Sequence, residues 1–266
     1  MLNYEEFEHI AKLKRLSLTN TEKDYMQDLI LFSIYSNIGK ELVFKGGTCL
    51  YKIYKLNRFS EDLDFTLTKR FDIKKMSNKV ISDLNLLDIK GKIKNIKEYK
   101  NELNVRFLFN GPLYKGSKET QCFIPLNISL KEKVLLKSNK ESIIPIYKEL
   151  PSFELFAMQE REILAEKVRA IFTRKKPRDI YDLWYLLVKK NIIFDLQLVN
   201  KKLVLYNIKF NFKTLKNKIE NMQNLWQTDL KGLTIGELQD FDAIKKEIIL
   251  KIKEKIKEMD KLEKKK

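Results

Sequence analysis

The sequence predicts an α+β chain that carries its strands in the first 150 residues and is helical beyond them. Three observations support this. Apolar residues fall at helical spacing to about residue 40, alternate strictly in short runs between residues 41 and 130, and return to helical spacing after Pro151. Eight Gly and five Pro in 266 residues exclude a collagen-like or low-complexity chain. A hydrophobic share of 44% supplies a packed core, and a chain of this size buries roughly 70–75% of its unfolded surface, so it needs no disulfides.

The first forty residues read as helices. Phe7, Ile10, Ala11 and Leu13 share one face, and Met26, Leu29, Ile30 and Phe32 repeat the pattern. The capping-type run Thr19-Asn20-Thr21-Glu22 lies between them. Residues 41–45 form a short strand closed by Gly46-Gly47, and Thr48 to Leu56 returns to helix. From Asp62 to Thr68 the alternation is strict, with Leu63, Phe65 and Leu67 on one face and Asp62, Asp64 and Thr66 on the other. Residues 70–90 read as a helix. Strands follow near 102–109 and 122–130, joined through Gly111-Pro112 and Gly116-Ser117. In the second of these Pro125, Asn127 and Ser129 share the polar face.

After Pro151, residues 153–174 read as one helix with Leu155, Phe156, Ile163, Leu164, Val168 and Ile171 as its apolar stripe. Pro177 opens the next helix, which turns Ile180, Leu183, Trp184 and Leu187 inward. A last helix starts near Ile235 and runs into a solvated tail from Met259 to Lys266. There is no internal repeat. The expected division is an α+β domain over residues 1–150, including the N-terminal helices, and a helical domain over 151–266.

Two cysteines, Cys49 and Cys122, are too few for a secreted disulfide scaffold. The single histidine, His9, sits in a charged helical segment and reads as a surface residue, so no His-based zinc site or serine triad is expected. The N-terminus is acidic and lacks the apolar stretch of a signal peptide. No apolar run reaches the ~18–20 residues of a membrane span. A soluble, cytoplasmic protein without membrane partners is expected. The formal charge of +17 favours polyanionic partners: nucleic acid, nucleotides or an anionic membrane surface. Lys-rich composition from genome bias or thermal adaptation accounts for the same excess.

Three features carry chemistry. Lys45-Gly46-Gly47-Thr48 places a glycine pair between a strand and a helix, where backbone approaches a ligand closely and free N–H groups face an anion. Alone, such a pair is ordinary turn punctuation. Within Arg58-Phe59-Ser60-Glu61-Asp62-Leu63-Asp64, the two aspartates at i and i+2 project from one strand face. Adjacent like charges repel, and a Mg²⁺ ion held by one or two carboxylates plus substrate phosphates resolves the repulsion. An exposed polar strand face is the alternative. Third, Glu166-Lys167 precedes Arg178-Asp179-Ile180-Tyr181-Asp182. Lys167 lies beside the apolar positions of its helix, either snorkelling or paired with an anion, and Asp179 and Asp182 suit a helix N-terminus on charge alone.

The stretch FKGGTCLYKIYKLNRFSEDLDFTL, with EREILAEKVRAIFTRKKPRDIYDLWYLL downstream and Asn110–Leu113 between them, resembles the AbiEii/AbiGii-type toxin nucleotidyltransferases of the polymerase-β-type superfamily. The resemblance covers residues from about 40 to 190. It implies a nucleotidyltransferase-type mixed sheet with flanking helices. It also implies a toxin of a toxin–antitoxin or abortive-infection pair that moves NMP from an NTP to RNA, with tRNA foremost, and a cognate antitoxin partner. By the same resemblance Gly46, Gly47 and Thr48 hold the triphosphate and Asp62 and Asp64 hold Mg²⁺ or Mn²⁺. Lys167 contacts phosphate and Asp179 completes the catalytic set. The superfamily often carries a third carboxylate on a later strand. Here Asn127 stands on that strand, and an amide is a poor base. A degenerate nucleotide- or nucleic-acid-binding module, or NMP transfer to a protein hydroxyl, are therefore alternatives. Arg169, Arg174, Lys175, Lys176 and Arg178 cluster in sequence near Lys167 and Asp179 and are candidate RNA contacts. Ser60, expected at the mouth of the site, is a candidate regulatory phosphorylation position, with an ordinary strand-entry serine as the alternative.

Overall fold

The computed structural model describes residues 4–263 and divides into two compact units, Met1–Met158 and Gln159–Lys266. In the first, α1 (Tyr4–Lys14) and α2 (Leu18–Tyr35) precede β1 (Leu42–Lys45), α3 (Gly46–Lys52) and β2 (Leu63–Leu67). Then come α4 (Ile73–Leu86), β3 (Gly91–Glu98), β4 (Glu102–Phe109), β5 (Cys122–Ser129), β6 (Asn139–Ile143) and β7 (Phe153–Ala157). The strands form one mixed sheet in the order β3-β4-β5-β2-β1-β7-β6. The pairings β2–β5 and β1–β7 are parallel and the others antiparallel.

All four residues of β1 are buried. Its Phe44 faces Phe65 of β2 across the antiparallel ladder, with ring centroids 5.3 Å apart, a geometry in which aromatic rings attract beyond their area burial. Helix α2 buries Tyr25, Met26, Leu29, Ile30, Leu31 and Ile34. Its cap is Ser17, whose side chain accepts from the Asn20 amide. The expected capping run at residues 19–22 lies inside the helix, because Ser17 already satisfies an orphan N–H one turn earlier.

Charge is also buried here. Lys52 Nζ lies 2.7 Å from Asp24 Oδ1 and 2.6 Å from Asp28 Oδ1, Lys14 pairs with Asp24, and the Tyr147 hydroxyl donates to Asp24 Oδ2 at 2.5 Å. Burial pushes the Asp24 carboxyl up, but Lys52 and Lys14 pull it down to about 2. Burial raises Asp28, and Lys52 is raised on balance because its two carboxylate partners outweigh burial.

The second unit holds α5 (Glu160–Thr173), α6 (Pro177–Trp184), a π turn (Tyr185–Lys189), α7 (Leu196–Val204), α8 (Phe212–Glu220), α9 (Trp226–Leu230) and α10 (Phe241–Glu263). Pro177 occupies the first turn of α6, and Ile180, Leu183, Trp184 and Leu187 are buried as expected. Lys202 is buried between Glu162 (2.7 Å) and Glu166 (2.9 Å).

Four expectations are corrected. Residues 153–174 are not one helix: 153–157 form β7, which pairs with β1 and β6, and α5 starts only at Glu160. Leu155 and Phe156 therefore belong to a strand, while Ile163, Leu164, Val168 and Ile171 form the buried stripe of α5. Strands β3 and β6 were not expected, since both are polar edge strands with little apolar alternation. The helix read over Thr48–Leu56 is shorter, ending at Lys52. The last helix starts at Phe241 rather than near Ile235, and the tail read from Met259 is helical to Glu263; its last residues, 264–266, lie outside the described residues.

Candidate functional site

The glycine pair is required by packing. Gly46 has φ +77°, a conformation L side chains rarely adopt, and a Cβ there would stand 2.5 Å from Asp64 Oδ2. A Cβ on Gly47 would stand 2.7 Å from Ser60 Oγ and 2.8 Å from Arg58 Nη2. The turn thus lies directly against the Arg58–Asp64 segment. Thr48, fully buried, donates its hydroxyl to Asp62 O at 2.5 Å, and buried Arg58 donates to Phe59 O at 3.0 Å. The Thr48 hydroxyl thus ties the backbone of Asp62 to the glycine turn, and Arg58 and Ser60 pack against Gly47.

Asp64 sits in β2 opposite Lys45 on one side and Asn127 on the other. Asn127 Nδ2 donates to Asp64 Oδ1 at 3.0 Å, and Asn127 Oδ1 accepts from Arg106 Nη1 at 2.9 Å. The amide therefore spends its donor orienting one carboxylate oxygen and its acceptor on a guanidinium. Asp62, just before the strand, is half-buried like Asp64 and shares its face by alternation. Buried Lys45 pairs with buried Glu132 at 2.5 Å. Among the described residues no group of three or more His, Cys, Asp or Glu is placed to hold a metal ion. Two half-exposed carboxylates suit a hard cation that takes its remaining oxygens from phosphate and water.

In the helical unit, Lys167 is buried with its Nζ 3.0 Å from Asp179 Oδ1 and 2.7 Å from Asp182 Oδ2; both aspartates are fully buried. Arg174 clamps Asp179 with two bonds, Nε to Oδ2 at 2.7 Å and Nη2 to Oδ1 at 2.8 Å. Burial pushes the Asp179 carboxyl up, but Lys167 and Arg174 hold it well below the usual range. Glu166, next to Lys167, turns instead to Lys202. Of the other basic candidates, Arg178 pairs with Asp229 at 3.2 Å and Arg169 lies over the Tyr206 ring, while Lys175 and Lys176 are exposed. Ser60 is corrected: it is not at a mouth but 7% exposed, packed against Gly47.

Sequence reasoning did not find Arg106, Lys45 with Glu132, or the part played by Asp182. Arg106 shares strand parity with Asn104 on β4, but only the β4–β5 register brings it to Asn127.

The model of the AbiEii family, described as a nucleotidyl transferase toxin of a type IV toxin–antitoxin system, matches residues 29–247. A solved candidate nucleotidyltransferase from H. pylori is similar over 93% of this chain and 99% of its own, at 21% identity and TM-score 0.63. JHP933 from Helicobacter pylori is 20% identical over 94% and 97%, TM-score 0.57. MenT4, a nucleotidyltransferase toxin from Mycobacterium tuberculosis, is 17% identical over 94% and 88%, TM-score 0.63. No curated protein matches the chain. No helix among the described residues is long and apolar enough to cross a membrane.

Proposed function

We propose that this chain, which belongs to the AbiEii family of nucleotidyltransferase toxins, transfers NMP from an NTP to an RNA acceptor, tRNA foremost, and so blocks growth until an antitoxin intervenes. The observation that carries the reading is Asp64, half-buried on a polar row of the sheet, held by Asn127 and closely approached by Gly46, whose φ of +77° suits glycine.

The residues fit a divalent cation. Asp62 and Asp64 would hold Mg²⁺ or Mn²⁺ together with phosphate oxygens, and the ion would supply charge stabilisation at the reacting phosphorus. The chain's own residues do the positioning. Asn127 fixes one Asp64 oxygen by its amide N–H and leaves the other toward Gly46. Thr48 fixes the backbone of Asp62. The Gly46–Gly47 backbone, free of side chains, lies against the triphosphate. An acceptor hydroxyl oxygen bonds to the α-phosphorus as the bond to the β-phosphate oxygen breaks; pyrophosphate leaves and the hydroxyl proton passes to solvent. In the helical unit, Asp179 and Asp182 fix the Lys167 ammonium, and we assign Lys167 the phosphate contact and Asp179 its orientation.

Asn127 favours one alternative, a nucleotide-binding protein without turnover, because the third carboxylate is an amide. The test is incubation with each α-³²P-labelled NTP and either total RNA or total protein. Label in ribonuclease-sensitive bands is expected. Label in protease-sensitive bands assigns the acceptor to protein, and no label in either assigns the chain to the binding class.

A further inference from the structure

The polar row that contains Asp64 continues across the sheet. Cross-strand partners project from one face, and the registers Lys45–Asp64, Asp64–Asn127, Asn127–Asn104 and Asn104–Lys97 line up from β1 to the edge strand β3. The hydrogen bonds from Arg106 to Asn127 and from Asn127 to Asp64 confirm the shared face. At its outer end lies a cavity of about 280 Å³ whose lining includes Lys94, Lys97, Tyr99, Asn104, Arg106 and Phe123. No carboxylate lines it. Two rings are exposed there, Tyr99 at 53% and Phe123 at 39%, and Lys94 lies over the Phe123 ring, 5.8 Å from its centroid. Asn104 Oδ1 is buried with no hydrogen-bond partner.

Exposed rings interleaved with lysine and arginine on a sheet face are what a single strand of nucleic acid needs: π-faces for bases, cations for phosphates and amides for base edges. A folded protein gains nothing by leaving two rings in water beside three cations and an orphaned amide oxygen. We propose that this β3–β4–β5 face binds the unpaired end of the acceptor RNA, with Asn104 on β4 two strand spacings, about 10 Å, and Lys97 on β3 three, about 14 Å, from Asp64. Bases stack on Tyr99 and Phe123, while Lys94 and Lys97 contact phosphates. This rests on the reading that the acceptor is RNA.

The test is fluorescence anisotropy with a fluorescein-labelled 12-nucleotide oligouridylate across a salt series. The same oligonucleotide as DNA and a blunt RNA duplex serve as competitors. The proteins are the wild type, Tyr99→Ala/Phe123→Ala, Lys94→Gln/Lys97→Gln and, from the helical unit, Lys175→Gln/Lys176→Gln. All six residues are exposed, so circular dichroism melts should superimpose. Loss of a stacking ring should weaken binding roughly 5- to 100-fold. Loss of both lysines should shallow the log–log salt slope by about 1.4, at ~0.7 per phosphate contact on a single strand. Binding of a labelled NTP should not change. Isotherms that superimpose on a binding wild type, or a loss confined to Lys175→Gln/Lys176→Gln, overturn this site and leave RNA as the acceptor. A wild type that transfers NMP but binds no RNA overturns both.

Discussion

Replacing Lys167 with Met keeps the aliphatic stem and removes the ammonium between two carboxylates that have no solvent exposure. Asp179 retains its two bonds from Arg174, so the loss falls on the Lys167–Asp182 pair and on the crowding of two buried negative charges. Breaking a buried ion pair by removing one partner costs about 3–5 kcal/mol. At 2–4 °C per kcal/mol for a chain of this order, the melting temperature should fall by roughly 6–20 °C. Asp182→Asn alone should also destabilise, but combined with Lys167→Met it removes one of the two buried negative charges that faced the ammonium, so the two losses should fail to add by at least ~1 kcal/mol. Urea melts of the four proteins measure this. A Lys167→Met shift under about 2 °C, or strict additivity, refutes a locked ammonium. NTP affinity, measured at a temperature where Lys167→Met remains folded, should fall as well, as the phosphate contact proposed for Lys167 requires.

Other outcomes follow from the same geometry. Asn127→Ala strips a donor from Asp64 and an acceptor from Arg106, and should weaken Mn²⁺ affinity by about 10–100-fold, as loss of a group orienting a ligand does, read by titration calorimetry. Gly46→Ala meets both a left-handed backbone, at about 1–2 kcal/mol, and the Asp64 oxygen 2.5 Å away; lower thermal stability and loss of transfer should appear together. Asp24, at about 2 in the fold against ~3.9 unfolded, contributes stability that is fully present above about pH 4 and lost as pH falls toward 2. This is on the order of 2 kcal/mol. Asp24→Asn should flatten that part of the pH–stability curve in denaturant melts.

The parts of this fold legible in sequence were those where one face is buried. Residues 63–67 alternate in type because Leu63 and Phe65 enter the core, while Asp64 is half-buried on the opposite face, where Thr66 is buried. β7 was misread because Phe153–Ala157 is five residues long and abuts a true helix, so its apolar side chains extend that helix's stripe. β3 is rich in lysine on the face that lines the outer cavity, and propensity alone does not distinguish such an edge strand from a loop. The glycine pair and the aspartate pair were visible as types and spacings, and the family resemblance tied them together. Their mutual dependence was not, since the 2.5 Å approach of Asp64 to Gly46 depends on the β1–β2 register. The sequence leaves Lys167 either snorkelling or paired with an anion; in the fold it is buried and paired, and both of its carboxylates come from the next helix. Arg174 is grouped with the candidate RNA contacts, and the sequence does not show that its guanidinium closes back on Asp179 five residues later.

The central claim is transfer of a nucleotidyl group, and the position of the label tests it most directly. The chain is incubated with RNA and the same NTP carrying ³²P at either the α or the γ phosphate, with wild type and Asp64→Asn in parallel. The account predicts that α label enters RNA, that γ label is released as pyrophosphate and never enters RNA, and that Asp64→Asn and excess EDTA each abolish incorporation. Incorporation of γ label, or α incorporation that survives Asp64→Asn, would contradict it.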